Sequence, residues 1–331
     1  MKRLLLFLIL LLGAAFSTAA QEATPEPDPQ AVAESLADEG GQFVTVNDYA
    51  IYYVTAGPDD GPPVLLLHGF LGSSLDFYNT IPALAEAGYR VIAFDRPPFG
   101  LSTKDTSLSY TLKAMSELTA AFMDELGIER AALVGHSAGG SVVADFAVRY
   151  PERVEKFVLI AGAVGISGPF SSPDGSDATG GFGAMIAQMD PDSEQAQSMI
   201  EGFFTSPMFT SMMGEAVADP EALNLPPEIL AIKQRWQQIP GWAGGLLAFV
   251  RDSVSEDNQF DLEQLKDVET PALLIWGEAD AIVPISLGET LRDLLPNDTW
   301  VTYPDIGHSP MDEATDLMNA DLLEFLASDT P

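Results

Sequence analysis

The chain has 331 residues, of which 47% are hydrophobic and 19% charged, and its formal net charge at pH 7 is −34. The hydrophobic fraction excludes a chain that is disordered throughout and allows a large core. The excess of 49 acidic over 15 basic residues excludes electrostatic binding to nucleic acid or to an anionic membrane surface. Cysteine is absent, which excludes disulfides and Cys-ligated metals.

Residues 1–20 are predicted to be a secretory signal peptide. Lys2 and Arg3 precede an apolar stretch over residues 4–16, and small residues follow at 18–20. The apolar stretch is shorter than the roughly 20 residues that span a bilayer. We therefore expect cleavage near Ala20 and export to the periplasm or the medium. The alternative is an uncleaved N-terminal anchor, in which case this segment is the expected membrane contact.

Residues 21–41 are polar and rich in proline, which predicts a linker and a folded region that begins near Gln42.

The rest of the chain alternates apolar and helical stretches. Two strands joined at Asn47 and Asp48 are predicted within residues 43–57. Short continuous apolar stretches, typical of strands buried on both faces of a sheet, follow at 63–67, 89–94, 131–134, 157–160, 272–276 and 299–303. Helical patterns occur at 81–87, 112–126 and 140–150. This alternation predicts an α/β fold with a mostly parallel central sheet flanked by helices.

The alternation is interrupted over residues 165–255, which we call the cap segment. It is predicted to be a mainly helical insertion over the sheet, so that the core comprises residues 42–164 and 256–331. Between Lys156 and Lys233 there is no Lys or Arg, whereas ten acidic residues occur there together with many Met and Phe. One interpretation is an ordinary acidic solvent face. The other is an apolar, adaptable acyl pocket under an acidic rim that repels anionic substrates.

Ser137 lies in the motif Val-Gly-His-Ser-Ala-Gly-Gly (residues 134–140), between a predicted strand and a predicted helix. The carboxyl ends of parallel strands are where α/β proteins bind ligands. A sharp turn at this position needs small flanking residues, because neighbouring backbone passes close to them. Gly135 and Gly139 meet that need, so the motif favours a nucleophilic serine over an incidental turn.

The three histidines all lie beside predicted strand ends. His136 is inside the turn next to Ser137, where its side chain is expected to point away, and we interpret it as structural. His68 follows the strand at 63–67 and is expected to hold the loop after it. His308 follows the last strand, in the chain order Ser, acid, His, and is the predicted general base.

The loop after the strand at 272–276 offers two carboxylates to orient this base. Asp280 lies further into the loop and is the predicted acid, whereas Glu278 is nearer the strand and is expected to be structural. Acyl transfer also needs backbone N–H groups directed at the oxyanion. The expected donors are the N–H groups of Ala138 and Phe70, with Gly69 permitting the sharp turn before Phe70.

With these motifs the chain resembles an α/β-hydrolase with an inserted cap, over roughly residue 43 to the C-terminus. The resemblance rests on LLLHGF at 65–70, VIAFDRPPFGLS at 91–102, GHSAG at 135–139, LLIWGEADAIVP at 273–284 and GHSP at 307–310. It implies a Ser137–His308–Asp280 triad, an oxyanion hole of the Phe70 and Ala138 amides, no cofactor or metal, and a cap that forms the substrate pocket.

Two positions bear on which branch of the family the chain resembles. Pro98 stands where the family usually has glycine, which is expected to alter the loop 95–102 and not the chemistry. A serine at position 137 excludes the branches with an aspartate nucleophile.

The sequence thus predicts an exported serine hydrolase, a carboxylesterase that acts on a small, neutral, apolar ester. The alternatives that use the same triad are a lipase, a C–C bond hydrolase, an acyltransferase and a perhydrolase. A non-enzymatic ligand-binding member of the family is a further alternative. The sequence assigns no oligomeric state.

Overall fold

The computed structural model describes residues 27–168, 182–206 and 224–328. The predicted signal peptide lies outside these ranges, as do residues 169–181 and 207–223 of the cap segment.

One eight-stranded sheet forms the centre of the described part of the chain. Its strands are β1 (Gln42–Val46), β2 (Tyr49–Ala56), β3 (Pro63–Leu67), β4 (Arg90–Phe94), β5 (Ala131–His136), β6 (Val154–Ile160), β7 (Ala272–Gly277) and β8 (Asp298–Tyr303). Their order is β1-β2-β4-β3-β5-β6-β7-β8. The pairs β1–β2 and β2–β4 are antiparallel, and the remaining neighbours are parallel. The predicted α/β fold with a mostly parallel sheet is confirmed.

Helices cover both faces of this sheet. In chain order they are α1 (Pro29–Ser35), α2 (Thr80–Glu86), α3 (Leu112–Glu125), α4 (Ala138–Arg149), α5 (Phe182–Ala187), α6 (Glu194–Phe204), α7 (Pro227–Ile232), α8 (Trp242–Ser253), α9 (Ile285–Leu294), α10 (Pro310–Glu313) and α11 (Thr315–Ala327). Apolar residues of α3, α4 and α9 pack on one face, and those of α2 and α11 pack on the other.

The continuous apolar strands follow from this two-sided cover. In β3, Leu65 and Leu67 belong to the core cluster on one face, whereas Val64 and Leu66 belong to the cluster on the other. Successive side chains of a strand point to opposite faces, so a strand covered on both sides needs apolar residues throughout.

The folded region begins earlier than the sequence predicts. Residues 29–35, assigned to the linker, form helix α1, which is capped where the Asp28 side chain accepts from the Gln30 N–H. Ala33 of this helix is buried in a small cluster with Tyr52, Leu101 and Ile239. The apolar contact with the core therefore orders part of a segment whose composition is typical of a linker.

The described residues of the cap segment form α5 to α8 and a short 3-10 helix, Arg235–Gln238. Helix α8 is buried along most of its length, and Leu246, Leu247 and Phe249 join the main core cluster. None of the helices in the described ranges combines the length and the apolarity that crossing a bilayer requires.

Candidate active site

Ser137 occupies a sharp turn between β5 and α4. Its backbone dihedrals are φ 51° and ψ −122°, a region that non-glycine residues rarely adopt. Three hydrogen bonds hold it there. The Ser137 N–H donates to the Ile160 carbonyl at 2.9 Å, and the Ser137 carbonyl accepts from the N–H groups of Gly140 at 2.8 Å and Ala163 at 3.0 Å. The neighbouring strand end thus fixes the strained conformation.

Close backbone packing explains the glycines on either side. A Cβ added at Gly135 would lie 2.6 Å from the Gly139 carbonyl oxygen, and one added at Gly139 would lie 2.1 Å from the Leu67 carbonyl oxygen. Both distances are shorter than a van der Waals contact. The turn can therefore form only with glycine at these two positions.

His308 and Asp280 are in contact at the carboxyl ends of β8 and β7. The His308 Nδ1 lies 2.8 Å from the Asp280 Oδ2. The other Asp280 oxygen accepts from the N–H groups of Ile282 at 2.8 Å and Val283 at 2.9 Å, and the carboxylate is fully buried. With Nδ1–H donating to the carboxylate, neutral His308 has its lone pair on Nε2.

Glu278, the other carboxylate of this loop, makes a different contact. Its Oε1 accepts from the Thr302 hydroxyl at 2.8 Å, in an exposed position on β8. Of the two candidate acids, only Asp280 contacts His308 in the described part of the chain.

His136 makes a contact that sequence analysis did not predict. Its Nε2 lies 2.8 Å from the His308 carbonyl oxygen, and the two imidazole rings are 4.8 Å apart. A carbonyl only accepts, so Nε2 carries the proton and donates. Burial lowers the pKa of His136 to about 4, with a further contribution from His308. His136 is therefore neutral at pH 7 and places the backbone of His308 beside the Ser137 turn.

His68 is a fixed part of the loop after β3. Its Nδ1 donates to the Gly69 carbonyl at 2.8 Å, and its Nε2 accepts from the Arg96 N–H at 2.8 Å. The Arg96 side chain returns to this loop, donating from Nε to the His68 carbonyl at 2.8 Å. Burial, aided by Arg96, lowers the pKa of His68 to about 3, so this histidine is not a base near neutral pH. Arg96 lies in the motif at residues 91–102, but its position there does not predict a contact with His68.

The loop containing Pro98 is tied to the loop after β3 by a buried carboxylate. Asp95 accepts from the Ser74 N–H at 2.6 Å and from the Leu101 N–H at 2.7 Å. Pro98 follows a cis peptide bond within this loop. The departure from glycine at position 98 therefore lies in a loop that is held at both ends.

The loop after β3 also approaches the turn that contains Ser137. A Cβ on Gly69 would lie 3.1 Å from the Ser137 Cβ, which puts this loop against Ser137. Next in the chain, the Phe70 ring lies 5.6 Å from the ring of Phe99 and 5.8 Å from that of Phe249 in α8. Ala138 is the first residue of α4, so its N–H has no acceptor within the helix and points to the helix N-terminus.

Comparison with known proteins identifies the relatives of this chain. A family model described as alpha/beta hydrolase fold matches residues 62–315. The 2-hydroxy-6-oxononadienedioate/2-hydroxy-6-oxononatrienedioate hydrolase of Paraburkholderia phymatum is 31% identical over 271 residues, covering 80% of this chain and 86% of the relative. The bifunctional esterase/perhydrolase DCH of Acinetobacter calcoaceticus is 30% identical over 293 residues, covering 87% of this chain and 100% of the relative.

A solved structure of a bacterial membrane phospholipase A is also similar. It is 26% identical with a TM-score of 0.68, and the match covers 90% of this chain and 87% of that one. The two sequence relatives are hydrolases whose names give different activities.

Proposed function

Since the chain belongs to the α/β-hydrolase family, we propose that it is an exported serine hydrolase, a carboxylesterase that cleaves neutral, apolar esters through an acyl-enzyme on Ser137. The observation that carries the proposal is the 2.8 Å contact of His308 Nδ1 with Asp280 Oδ2, because it leaves Nε2 of His308 as the basic nitrogen.

In the proposed first step, the Ser137 Oγ attacks the ester carbonyl and its proton passes to His308 Nε2. The N–H groups of Phe70 and Ala138 stabilise the oxyanion, and Asp280 stabilises the imidazolium. His308 then gives its proton to the departing alkoxide, which leaves as the alcohol. In the second step, His308 takes a proton from water, which attacks the acyl-enzyme carbonyl. His308 then returns this proton to Ser137 Oγ as the bond between Ser137 and the acyl group breaks, which releases the carboxylic acid and restores free Ser137.

Charge supports neutral substrates over anionic ones. The first two cationic residues of the cap segment are Lys233 and Arg235, and both form ion pairs with carboxylates of the core. Lys233 contacts Asp76 and Asp312, and Arg235 contacts Asp38. The similarity to the esterase/perhydrolase supports an ester substrate. The Paraburkholderia relative acts by its name on dioates, so hydrolysis of such dicarboxylates is the second candidate.

A chain-length series of p-nitrophenyl esters, assayed on the protein from residue 21 onward, tests the proposal. We expect turnover of the neutral esters and covalent labelling of Ser137 by a fluorophosphonate. Ser137→Ala should abolish both, and retained labelling in that variant would refute the assignment. Product analysis with added alcohols or hydrogen peroxide separates hydrolysis from acyl transfer and perhydrolysis.

Export is supported by the N-terminal sequence, in which two cations precede the apolar stretch at 4–16. N-terminal sequencing of the protein recovered from cells tests this part. A mature N-terminus near position 21 is the expected result, and an intact Met1 on a membrane-bound protein would favour the anchor.

A further inference from the structure

Lys233, at the C-terminal end of α7 in the cap segment, bridges two carboxylates of the core. Its Nζ lies 3.1 Å from Asp76 Oδ1 and 3.6 Å from Asp312 Oδ2. The Lys233 side chain is 26% exposed, and the two carboxylate side chains are 12% and 5% exposed. Ion pairs this far from solvent are screened weakly, and removing one partner leaves an uncompensated buried charge.

Asp76 belongs to the segment that follows β3. It lies in the 3-10 helix Ser74–Phe77, directly after the loop with Gly69 and Phe70. A Cβ on Gly72 would lie 2.0 Å from Asp76 Oδ2, so this carboxylate packs against the backbone of that loop. A movement of Asp76 would therefore shift the loop that contains Phe70, the proposed oxyanion donor.

Asp312 belongs to the segment that carries His308. It lies in α10, which begins two residues after His308. The adjacent Glu313 accepts from the N–H groups of Gly307 at 2.9 Å and Ser309 at 2.9 Å, on either side of His308. A shift of α10 would therefore move the proposed base.

The ammonium group of Lys233 lies within contact distance of both carboxylates. Burial raises the pKa of Asp76, but the combined effects of Lys233, His68 and His136 bring that pKa below its usual value, with Lys233 contributing most of the lowering. Burial raises the pKa of Asp312 to about 6. Lys233 opposes this rise less effectively than it does for Asp76, because it lies further from Asp312. Without the ammonium group, desolvation and mutual repulsion would drive the two segments apart.

We propose that Lys233 is a positioning residue for catalysis: through Asp76 and Asp312 it fixes the segment with the oxyanion donor and the segment with His308 relative to each other. This inference rests on the proposed function, since it assigns Phe70 and His308 to the same reaction. Lys233 itself acts through its two partners and takes no part in the chemistry.

The test compares Lys233→Met with Arg235→Met on a p-nitrophenyl ester. Arg235 also joins the cap segment to the core, since its Nη1 lies 2.6 Å from Asp38 Oδ1 and its Nη2 contacts Asp38 Oδ2. Asp38, however, precedes β1 and is remote in sequence from both catalytic segments. Both variants should lose stability. We expect only Lys233→Met to lose kcat, by about 10- to 100-fold, since small misplacements of reacting groups have effects of this size. Its KM should change by less than about threefold because no substrate contact is removed.

Two further variants keep the test decisive if Lys233→Met does not fold. Asp76→Asn should lower kcat more than Asp312→Asn, following the contact distances of 3.1 and 3.6 Å. Lys233→Arg, which keeps the charge, should recover most of the kcat that Lys233→Met loses. A folded Lys233→Met protein with the kcat of Arg235→Met, or equal kcat in both Asn variants and the wild type, would overturn the inference.

Fluorophosphonate labelling separates the inference from the proposed function. If Ser137→Ala still reacts, the proposed function is wrong whatever Lys233 does. If Ser137 is the labelled residue and Lys233→Met labels at the wild-type rate, the proposed function stands and the positioning role is wrong.

Discussion

The Nε2–H of His136 donates to the carbonyl oxygen of His308 at 2.8 Å, joining residues that are 172 positions apart in the chain. His136 is adjacent to the proposed nucleophile and His308 is the proposed base. This hydrogen bond joins the two segments on which the proposed proton transfer depends. The sequence predicts a structural role for His136, and this hydrogen bond gives that role a specific contact.

Replacing His136 tests this task. His136→Ala should lower kcat by about 10-fold or more, because the His308 segment loses its anchor to the Ser137 turn. His136→Gln keeps a side-chain N–H near the position of Nε2 and should retain most of the activity. Ester turnover by both variants is the measurement, and equal loss in Ala and Gln would show that the donated hydrogen bond is not what matters.

Asp280→Asn should reduce kcat by about 10³- to 10⁴-fold with little change in stability. An amide at this position no longer stabilises the imidazolium and can hold His308 in the wrong tautomer. Glu278→Gln is the matched control, because Glu278 follows the same strand but contacts the exposed Thr302 hydroxyl. The kcat of each variant on one p-nitrophenyl ester decides between the two carboxylates, and a comparable loss in both would contradict the assignment of Asp280.

Buried neutral histidines should make the protein less stable in mild acid. The folded pKa values of His68 and His136 are lowered from 6.5 to about 3 and about 4 by burial, so the unfolded chain binds these protons first. Stability from each histidine is complete above pH 6.5 and is lost as the pH falls towards the folded pKa, by about 1.4 kcal/mol per pH unit.

Urea unfolding of the wild type and of His136→Gln at several pH values between 6 and 5 measures how much His136 contributes to the pH dependence of the free energy of unfolding. The wild type should lose about 1.4 kcal/mol more per pH unit than the variant. The comparison cancels the opposing titration of Asp312, whose pKa is raised to about 6 in both proteins. Parallel pH profiles would mean that His136 is already protonated in the folded state.

The acidic cap segment should discriminate against anionic substrates. At low salt, a neutral ester should be hydrolysed faster than an analogue of the same length with a terminal carboxylate, because ten acidic residues and no cation lie between Lys156 and Lys233. The gap should shrink in about 1 M salt, where the Debye length falls to about 3 Å. Values of kcat/KM for the pair at both salt concentrations provide the measurement, and a ratio that is independent of salt would remove the charge effect.

The central sheet and the Ser137 turn can be predicted from the sequence, because both depend on local patterns. A strand covered on two faces is apolar throughout, as β3 is. A turn in which backbone lies 2.1 Å from a Cβ position admits only glycine, as at Gly139. The predicted acid and base likewise followed from the chain order and the loops in which Asp280 and His308 lie.

Contacts between segments that are distant in the chain cannot be predicted in the same way, because they depend on the fold. Helix α1 is too short to be stable alone, and it forms against the core through Ala33. Because its stability comes from this contact, its own sequence is still typical of a linker. The bonds of His136 to His308, of Arg96 to His68 and of Lys233 to Asp76 and Asp312 depend on which strand ends the fold brings together. The sequence gives the charge and the hydrogen-bonding groups of each side chain. Its partner is defined only after folding, when the sheet brings both segments to the same edge.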